Sequence, residues 1–364
     1  MLEIYLPIVQ VNVDIFLLLF LSLLVGVLSG IFGVGGGFLM TPFLIFMGIP
    51  PVYAVPNEVN NILATSVSGS LTHWFKNTLD YKMGFMIMCG GIIGTTVGMM
   101  TFSYFSDIGK ISTIISLLYM NLLAIVGSLM LVDTFRESRK KEKVRKKLHD
   151  HNWFQGLPLR MRFPKSRLYE SAFTPILLGL IVGFIASMMG IGGAFLMVPA
   201  MIYIVGMPVK LIPGTSLFVT IFISIIVTVL HAFNYGSIDL FLVIPLIFGS
   251  IVGVQLGQKL GQYVDGTQLK SLFALLLCCV AVAIAYDSFL RDKTNFNGTQ
   301  IIKTDLSALA EFSLKFNNEA PFLYGALAIL LAISLGALTA WARKIISDLR
   351  KTKPKTEEVK FPAK

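Results

Sequence analysis

The stretch GVGGGFLMTP at residues 33–42 recurs as GIGGAFLMVP at residues 190–199. The second copy begins 157 residues after the first, and Gly26 matches Gly183 at the same offset. In each copy the motif is followed by an apolar segment striped with polar residues. The chain is therefore predicted to contain an internal duplication.

The composition indicates a membrane protein. Hydrophobic residues make up 55% of the 364 residues, charged residues only 14%, and the mean hydropathy is +0.77. A soluble domain is about a quarter charged, and a fold of this size could not bury so much apolar surface. This excludes a soluble enzyme, a disordered chain and a disulfide scaffold. A helix needs about 20 apolar residues to cross a bilayer. The stretches that meet or approach this length are residues 14–32, 59–75, 83–102, 111–132, 173–189, 212–230, 240–257, 269–286 and 321–341.

The basic residues predict the orientation. Of the 30 Lys and Arg residues, 12 lie in residues 136–167 and 8 in residues 343–364, so both segments should be cytoplasmic. Residues 291–319 carry four basic and four acidic residues and should lie outside. We expect a multi-pass membrane protein with its N-terminus outside and its C-terminus in the cytoplasm. The two basic segments should bind anionic lipid. Docking of a soluble partner is the alternative, and no nucleic-acid-binding fold accompanies the charge.

Each copy contains five apolar elements, and because five is odd the second copy should be inverted relative to the first. The stretches 38–49 and 195–207 are too short to span and are predicted to be partial or re-entrant helices. The fold class is thus all-α, with two inverted-topology repeats and one extra C-terminal helix, as in many secondary transporters. The predicted division is a first transmembrane repeat (1–134), a basic cytoplasmic loop (135–171), a second transmembrane repeat (172–290), an extracytoplasmic loop (291–319), a final transmembrane helix (320–342) and a basic cytoplasmic tail (343–364).

The glycine clusters are predicted to break helices, since each Gly inside a helix costs about 1 kcal/mol relative to Ala. Broken backbone at membrane depth is tolerated only where it faces protein or a wet cavity. Its free N–H groups and helix N-termini could bind an anion. Close packing through small residues is the alternative interpretation. The predicted substrate-binding residues are Gly33, Gly35, Gly36, Gly37, Asn57, Asn61, Thr65, Gly190, Gly192, Gly193, Thr215 and Ser216.

Three residues of the striped segments are candidates for ion coupling or gating, namely Glu58, His73 and His231. An intramembrane carboxylate is costly and is a functional candidate, and histidine titrates near physiological pH. The alternatives are a hydrated Glu58 at the outer mouth, bonded to Asn61 one turn on, and two interfacial histidines. The coupling ion would be a proton or Na⁺. No metal-ligand spacing occurs, so neither a metal nor a cofactor is predicted.

The same residues resemble a known family. GIFGVGGGFLMTP, its second copy MMGIGGAFLMVP, PGTSLF at residues 213–218 and NEVNNILATSVSG at residues 57–69 are similar to the sulfite exporter TauE/SafE family of membrane permeases, in a branch with a larger central loop. The similarity runs from about residue 16 to residue 286. It implies movement of sulfite, sulfoacetate, other organosulfonates or related small anions across the bacterial inner membrane. Ala194 replaces the third glycine of the run, so the two halves need not contribute equally.

The leading hypothesis is a secondary transporter of a small anionic substrate, such as a sulfur-containing anion or a carboxylate, that works by alternating access and is not an enzyme. A passive anion channel is the second hypothesis. A non-transporting scaffold or sensor that recruits a partner through the basic loop is the third. A homo-oligomer, the direction of transport and the substrate stay open.

Overall fold

The structure is a computed structural model that describes residues 3–32, 39–139, 160–208, 210–260, 266–289 and 308–352. Helices dominate these residues. They are α1 Ile15–Phe32, α2 Met40–Phe46, α3 Pro51–Phe75, α4 Tyr81–Asp107, α5 Ile111–Arg139, α6 Phe173–Met189, α7 Ala194–Ala200, α8 Ile212–Tyr235, α9 Leu240–Leu260, α10 Gly266–Phe289, α11 Ala308–Glu319 and α12 Pro321–Thr352. A π-helical turn, Met201–Val205, continues α7.

Each of the nine predicted spans lies within one helix, apart from Asp14, which ends the strand before α1. Within the described residues, α4, α5, α8, α9 and α12 are long and apolar enough to cross a membrane, and α1, α6 and α10 contain shorter apolar helices. Helix α3 is 25 residues long but carries the polar stripe. The short stretches after the glycine clusters form the seven-residue helices α2 and α7. Because a helix rises only about 1.5 Å per residue, neither of these two can span a bilayer.

The outer surface of the helix bundle is apolar. Large hydrophobic side chains are exposed along the helices, among them Phe16 (63% exposed), Met100 (68%) and Val282 (68%). Soluble monomers rarely expose contiguous apolar surface on this scale. The structure is therefore that of an all-α, multi-pass membrane protein whose outer helices face lipid.

Two helix pairs pack through glycines spaced four residues apart. On α4, a Cβ at Gly90 would overlap the Ile176 carbonyl of α6, and one at Gly94 would overlap the Leu180 carbonyl. On α9, Gly249 lies against Ser22 of α1, and Gly257 lies against Val27. Residue numbers rise together along both partners, so α4 runs parallel to α6 and α9 runs parallel to α1. In lipid the hydrophobic effect does not drive helices together, so close packing has to hold them. Small residues allow this packing because they let the two backbones approach each other.

Helices α3 and α8 pack against each other in antiparallel orientation. Gly69 lies against Leu217, and one turn away Gly214 lies against His73. At the other end of the contact the Thr228 hydroxyl donates to the Asn60 side-chain oxygen, so residue numbers rise along one helix as they fall along the other. Helix α5 packs on α10, and α12 packs on α3, α8 and α9.

Two small β-hairpins, not predicted from the sequence, precede α1 and α6. In the first, β1 (Glu3–Leu6) pairs antiparallel with β2 (Val11–Asp14), and in the second β3 (Arg160–Phe163) pairs with β4 (Leu168–Ser171). Their turns contain Gln10 (φ 59°) and Arg167 (φ 53°), whose separation along the chain equals the offset between the two glycine motifs. The predicted loop segments thus contain ordered structure, since β3, β4 and α11 fall within them. Helix α12 also continues into the segment predicted to be a tail.

Candidate functional site

A buried carboxylate lies on α3 at the centre of the polar stripe. Glu58 is 0% exposed, and the Asn61 side-chain amide donates to both of its oxygens at 3.2 and 3.3 Å. The same Asn61 nitrogen donates to the Ser250 hydroxyl of α9 at 2.9 Å. The expected contact between Glu58 and Asn61 is present. The alternative of a hydrated Glu58 at the outer mouth is wrong, because the surrounding helices bury its side chain completely.

The second glycine cluster packs against the Glu58 turn of α3. Gly190, Gly192 and Gly193 have φ values of 73°, 67° and 80°, which a residue with a side chain rarely adopts. They separate α6 from α7, so the predicted helix break is present here. A Cβ at Gly190 would approach the backbone of Val55, and one at Gly192 would overlap Ile62. These two α3 residues lie one turn before and one turn after Glu58. The first cluster, Gly33, Gly35, Gly36 and Gly37, lies outside the described residues.

Asn57 and Thr215 bind the start of a helix in the opposite half of the chain. Asn57 accepts the backbone N–H of Asp239 at 2.7 Å, and its side-chain nitrogen donates to the Ser237 carbonyl at 3.1 Å. The Thr215 hydroxyl accepts the backbone N–H of Asp80 at 3.1 Å. In this structure both predicted substrate-binding residues therefore make contacts between the two halves.

Asp80 and Asp239 were not identified from the sequence. One Asp80 oxygen accepts the Lys82 and Met83 amides at the start of α4, and the other accepts both the amide and the hydroxyl of Ser166 in the second hairpin turn. Asp239 caps α9 and accepts the Ile8 amide of the first hairpin turn at 2.9 Å. An Asp placed directly before an apolar helix is an N-cap signal, and this signal could have revealed both residues.

Hydroxyl groups of the stripe mostly bond within their own helix. Thr65 donates to the Ile62 carbonyl at 3.0 Å, and Ser216 donates to the Pro213 carbonyl at 3.1 Å. Such bonds satisfy the hydroxyl but leave its lone pairs available. The buried polar atoms of the stripe that have no hydrogen-bond partner include Asn61 Oδ1, Ser66 Oγ and Ser224 Oγ. Buried polar atoms are nearly always paired, so this is a place where a ligand or water could bind.

The two candidate histidines occupy different environments. His73 is half-buried, and its Nδ1 lies 2.9 Å from the Thr78 hydroxyl. His231 is 0% exposed, and the centroid of its ring lies 4.7 Å from the Phe102 ring centroid. The alternative of an interfacial His231 is therefore wrong. In the described part of the chain, no group of three or more His, Cys, Asp or Glu residues could hold a metal ion.

Comparison with known proteins identifies the family. The description Sulfite exporter TauE/SafE matches residues 18–284, which include helices α2 to α9 and most of α1 and α10. The chain belongs to this family. The family is one of membrane permeases, and the duplicated glycine motif, the helix break and the buried polar stripe all lie within the matched residues.

Curated relatives carry transporter names. The probable membrane transporter protein YjnA of Bacillus subtilis is 29% identical over 261 residues, which cover 71% of this chain and 95% of the relative. The probable membrane transporter protein YunE of the same organism is 25% identical, with 74% and 97% covered. The probable membrane transporter protein MJ0441 of Methanocaldococcus jannaschii is 27% identical, with 71% and 92% covered. No solved structure shows a significant match.

Proposed function

We propose that this protein is a secondary transporter of a small anion in the cell membrane and that it works by alternating access between two inverted repeats. The observation that carries the proposal is the group of unpartnered polar atoms on α3 and α8, together with the helix break at Gly190–Gly193, which packs against Val55 and Ile62 of α3. A buried polar centre with broken backbone beside it is the usual setting of a transporter substrate site.

The helix packing supports the inverted repeats. The proposal pairs the helices of the two halves in chain order: α1 with α6, α3 with α8, α4 with α9, and α5 with α10. Exchanging the two halves by a two-fold rotation then converts the α1–α9 pair into the α6–α4 pair. Both of these pairs are present, and α3 and α5 each pack on their own counterpart. The antiparallel packing of α3 on α8 is what two inverted copies of one element require. Alternating access would then be a rocking of one half against the other.

The chemistry favours an anion that is weakly held. Within the described central part of α3 and α8 no Lys or Arg side chain is present, so amide groups, hydroxyls and helix N-termini would bind the anion. Gly35–Gly37, Asn61, Thr65, Ser216 and the Gly190–Gly193 break are the proposed contacts. The family name favours sulfite, sulfoacetate or another organosulfonate, and a carboxylate has similar chemistry.

Glu58 is the proposed coupling group. A carboxylate that is fully buried beside a single amide partner is more stable when neutral, because burial disfavours the charge. An anion that enters together with a proton on Glu58 avoids repulsion between two negative charges. Glu58→Gln keeps the shape but cannot bind and release a proton. It should abolish proton-driven accumulation and retain exchange of substrate for substrate.

The test uses purified protein in proteoliposomes that contain sulfoacetate and receive labelled sulfite from outside. Saturable counterflow, stimulated by the internal anion, is expected of a carrier, whereas a passive channel would show none. A pH gradient should drive accumulation by the wild type but not by Glu58→Gln, with the exposed Glu319→Gln as the matched control. Equal accumulation by the wild type and Glu58→Gln would end the coupling role. The absence of saturable flux of either anion would contradict this substrate class.

A further inference from the structure

A narrow cleft opens between α3, α9 and α12. Its polar lining residues are Thr65, Ser68, Gln255 and Arg343. Gly69 and two aliphatic residues of α9 complete the wall. The cavity volume is about 10 Å³, which is room for about one water molecule, so an anion could place only one oxygen inside the cleft and the rest of it at the cleft's opening. Nothing in the sequence placed Arg343 next to the polar stripe, because Arg343 and Ser68 lie near opposite ends of the chain.

Close helix packing fixes the position of Arg343. A Cβ at Gly336 would overlap the Ala64 carbonyl, so α12 touches the backbone of α3 at this point. One turn later the Thr339 hydroxyl donates to the Ser68 hydroxyl at 3.0 Å. Arg343 follows Thr339 by four residues and lies on the same face of α12. The Thr339 hydroxyl also donates to the Gly336 carbonyl at 2.8 Å, so Ser68 and Thr339 share one hydrogen bond between their hydroxyls.

The cleft is electrostatically unbalanced. Arg343 is half-buried, and no described side chain forms an ion pair with it. The ammonium of its neighbour Lys344 lies over the Phe75 ring, 4.4 Å from the ring centroid. A guanidinium offers five donors in a planar fork that matches the oxygens of a carboxylate or sulfonate. The side-chain amide of Gln255 is a further donor that a neutral or anionic group could use.

The cleft lies on the same helix face as the buried carboxylate. Glu58, Asn61, Thr65 and Ser68 follow one another at spacings of three, four and three residues, which is one stripe of α3. Asn61 bonds to Ser250 of α9, and Gln255 lies just over one turn further along that helix. The polar residues of this stripe therefore lie in a row along α3 between the cleft and Glu58.

We propose that the cleft is an anion-binding site at the mouth of the permeation path, in which Arg343 captures the sulfonate, sulfite or carboxylate group before it moves toward Glu58. The site rests on the proposed function, which it deepens by naming a substrate-recognition residue. Helix α12 lies beyond residues 18–284, the part matched by the family. Since residues 343–364 are predicted to be cytoplasmic, the site should face the cytoplasm.

The test compares Arg343→Gln, Arg343→Lys and the matched control Lys344→Gln, which removes the same charge one residue away. Anion binding is measured on nanodisc-embedded protein by thermal stabilisation with sulfite, sulfoacetate and inorganic sulfate. Flux in proteoliposomes gives a separate KM for each membrane face. Arg343→Gln should weaken binding and raise the KM at the cytoplasmic face by about tenfold or more, as expected for one lost charge-assisted bond. Arg343→Lys should lie between the wild type and Arg343→Gln, and Lys344→Gln should match the wild type.

Other outcomes separate this site from the transport proposal. Wild-type stabilisation by an anion that is lost in Arg343→Gln, without any flux, would keep the site and reject the transporter. Normal flux with the same KM in Arg343→Gln as in the wild type would reject the site and keep the transporter. A wild type that none of the three anions stabilises would also overturn the site. If Arg343→Gln does not fold, Gln255→Leu removes a lining donor at a different position and should weaken binding of the same anions.

Discussion

Asp80 and Asp239 lie in opposite halves of the chain and make the same type of contact at the starts of α4 and α9. Each carboxylate caps its helix with one oxygen and with the other binds the turn of the hairpin that precedes the opposite half. The backbone N–H of each Asp is in turn bound by a side chain of the opposite half. Matching contacts at the start of α4 and at the start of α9 thus join the two halves of the chain.

The Asp239 contact should contribute measurably to stability. Asp239→Ala removes the acceptor of the Ile8, Val9 and Phe241 amides and leaves buried N–H groups unpaired, at a cost of about 1–3 kcal/mol. Asp14→Ala is the matched control, because its carboxylate accepts one exposed amide at 2.9 Å and should contribute less. Unfolding of both variants in detergent checks the difference. Equal losses would show that the hairpin contact adds nothing to the helix cap.

Asp239 should also make stability depend on pH. Burial raises the pKa of Asp239 from 3.8 to about 6, opposed by backbone hydrogen bonds from Ile8 and Phe241. The folded state then binds the proton more tightly than the unfolded state, so this group lowers the free energy of unfolding as pH rises from about 4 to about 6. Above pH 7 its contribution is constant. The total change is at most about 3 kcal/mol.

The measurement for this pH effect is the unfolding midpoint of the wild type and of Asp239→Asn between pH 5 and pH 8. The difference between the two proteins should change below pH 7 and be constant above it. A constant difference over the whole range would mean that the carboxylate titrates normally in the folded protein.

The glycine rows on α4 and α9 should not tolerate a methyl group. In Gly94→Ala and Gly253→Ala the new Cβ would overlap a backbone carbonyl of the partner helix, so the helices would have to separate. Gly69→Ala is the control, because its Cβ would meet only the end of the Leu217 side chain, which can move. We expect the first two variants to lose several kcal/mol or to fail to fold, whereas the third should keep near-normal stability. The yield of monodisperse protein in mild detergent is the first measurement.

The orientation can be tested by cysteine labelling in intact cells. In a background that lacks Cys89, Cys278 and Cys279, a cysteine at Thr299 should react with a membrane-impermeant maleimide, and one at Ser138 should not. The expectation rests on the excess of basic residues in residues 136–167 and 343–364. The reverse pattern would invert the topology, and labelling at both positions would contradict the helix count.

The sequence could reveal the spans and the duplication because both can be recognised without knowing which residues meet in space. A run of apolar residues long enough for a bilayer predicts a helix wherever it lies in the chain. The repeated GxGG motif predicts a helix break, because each glycine inside a helix costs free energy relative to Ala. The Asn61–Glu58 contact belongs to the same class, since its residues are three apart on one helix. The hairpins could not be predicted in this way, because strands of four residues carry little periodic signal.

The sequence by itself determined that this chain is an apolar helical bundle with a repeated glycine motif and with a carboxylate on one polar stripe. Only the tertiary structure decided which groups meet across that bundle. Hydrogen bonds and helix contacts depend on distance in space, and the sequence separations involved are 189 residues for Asn61 and Ser250 and 271 residues for Ser68 and Thr339. Such contacts bury Glu58 and bring Arg343 next to Thr65 in the cleft between α3, α9 and α12. Helix packing determines which polar groups are removed from water and which cation lies near them.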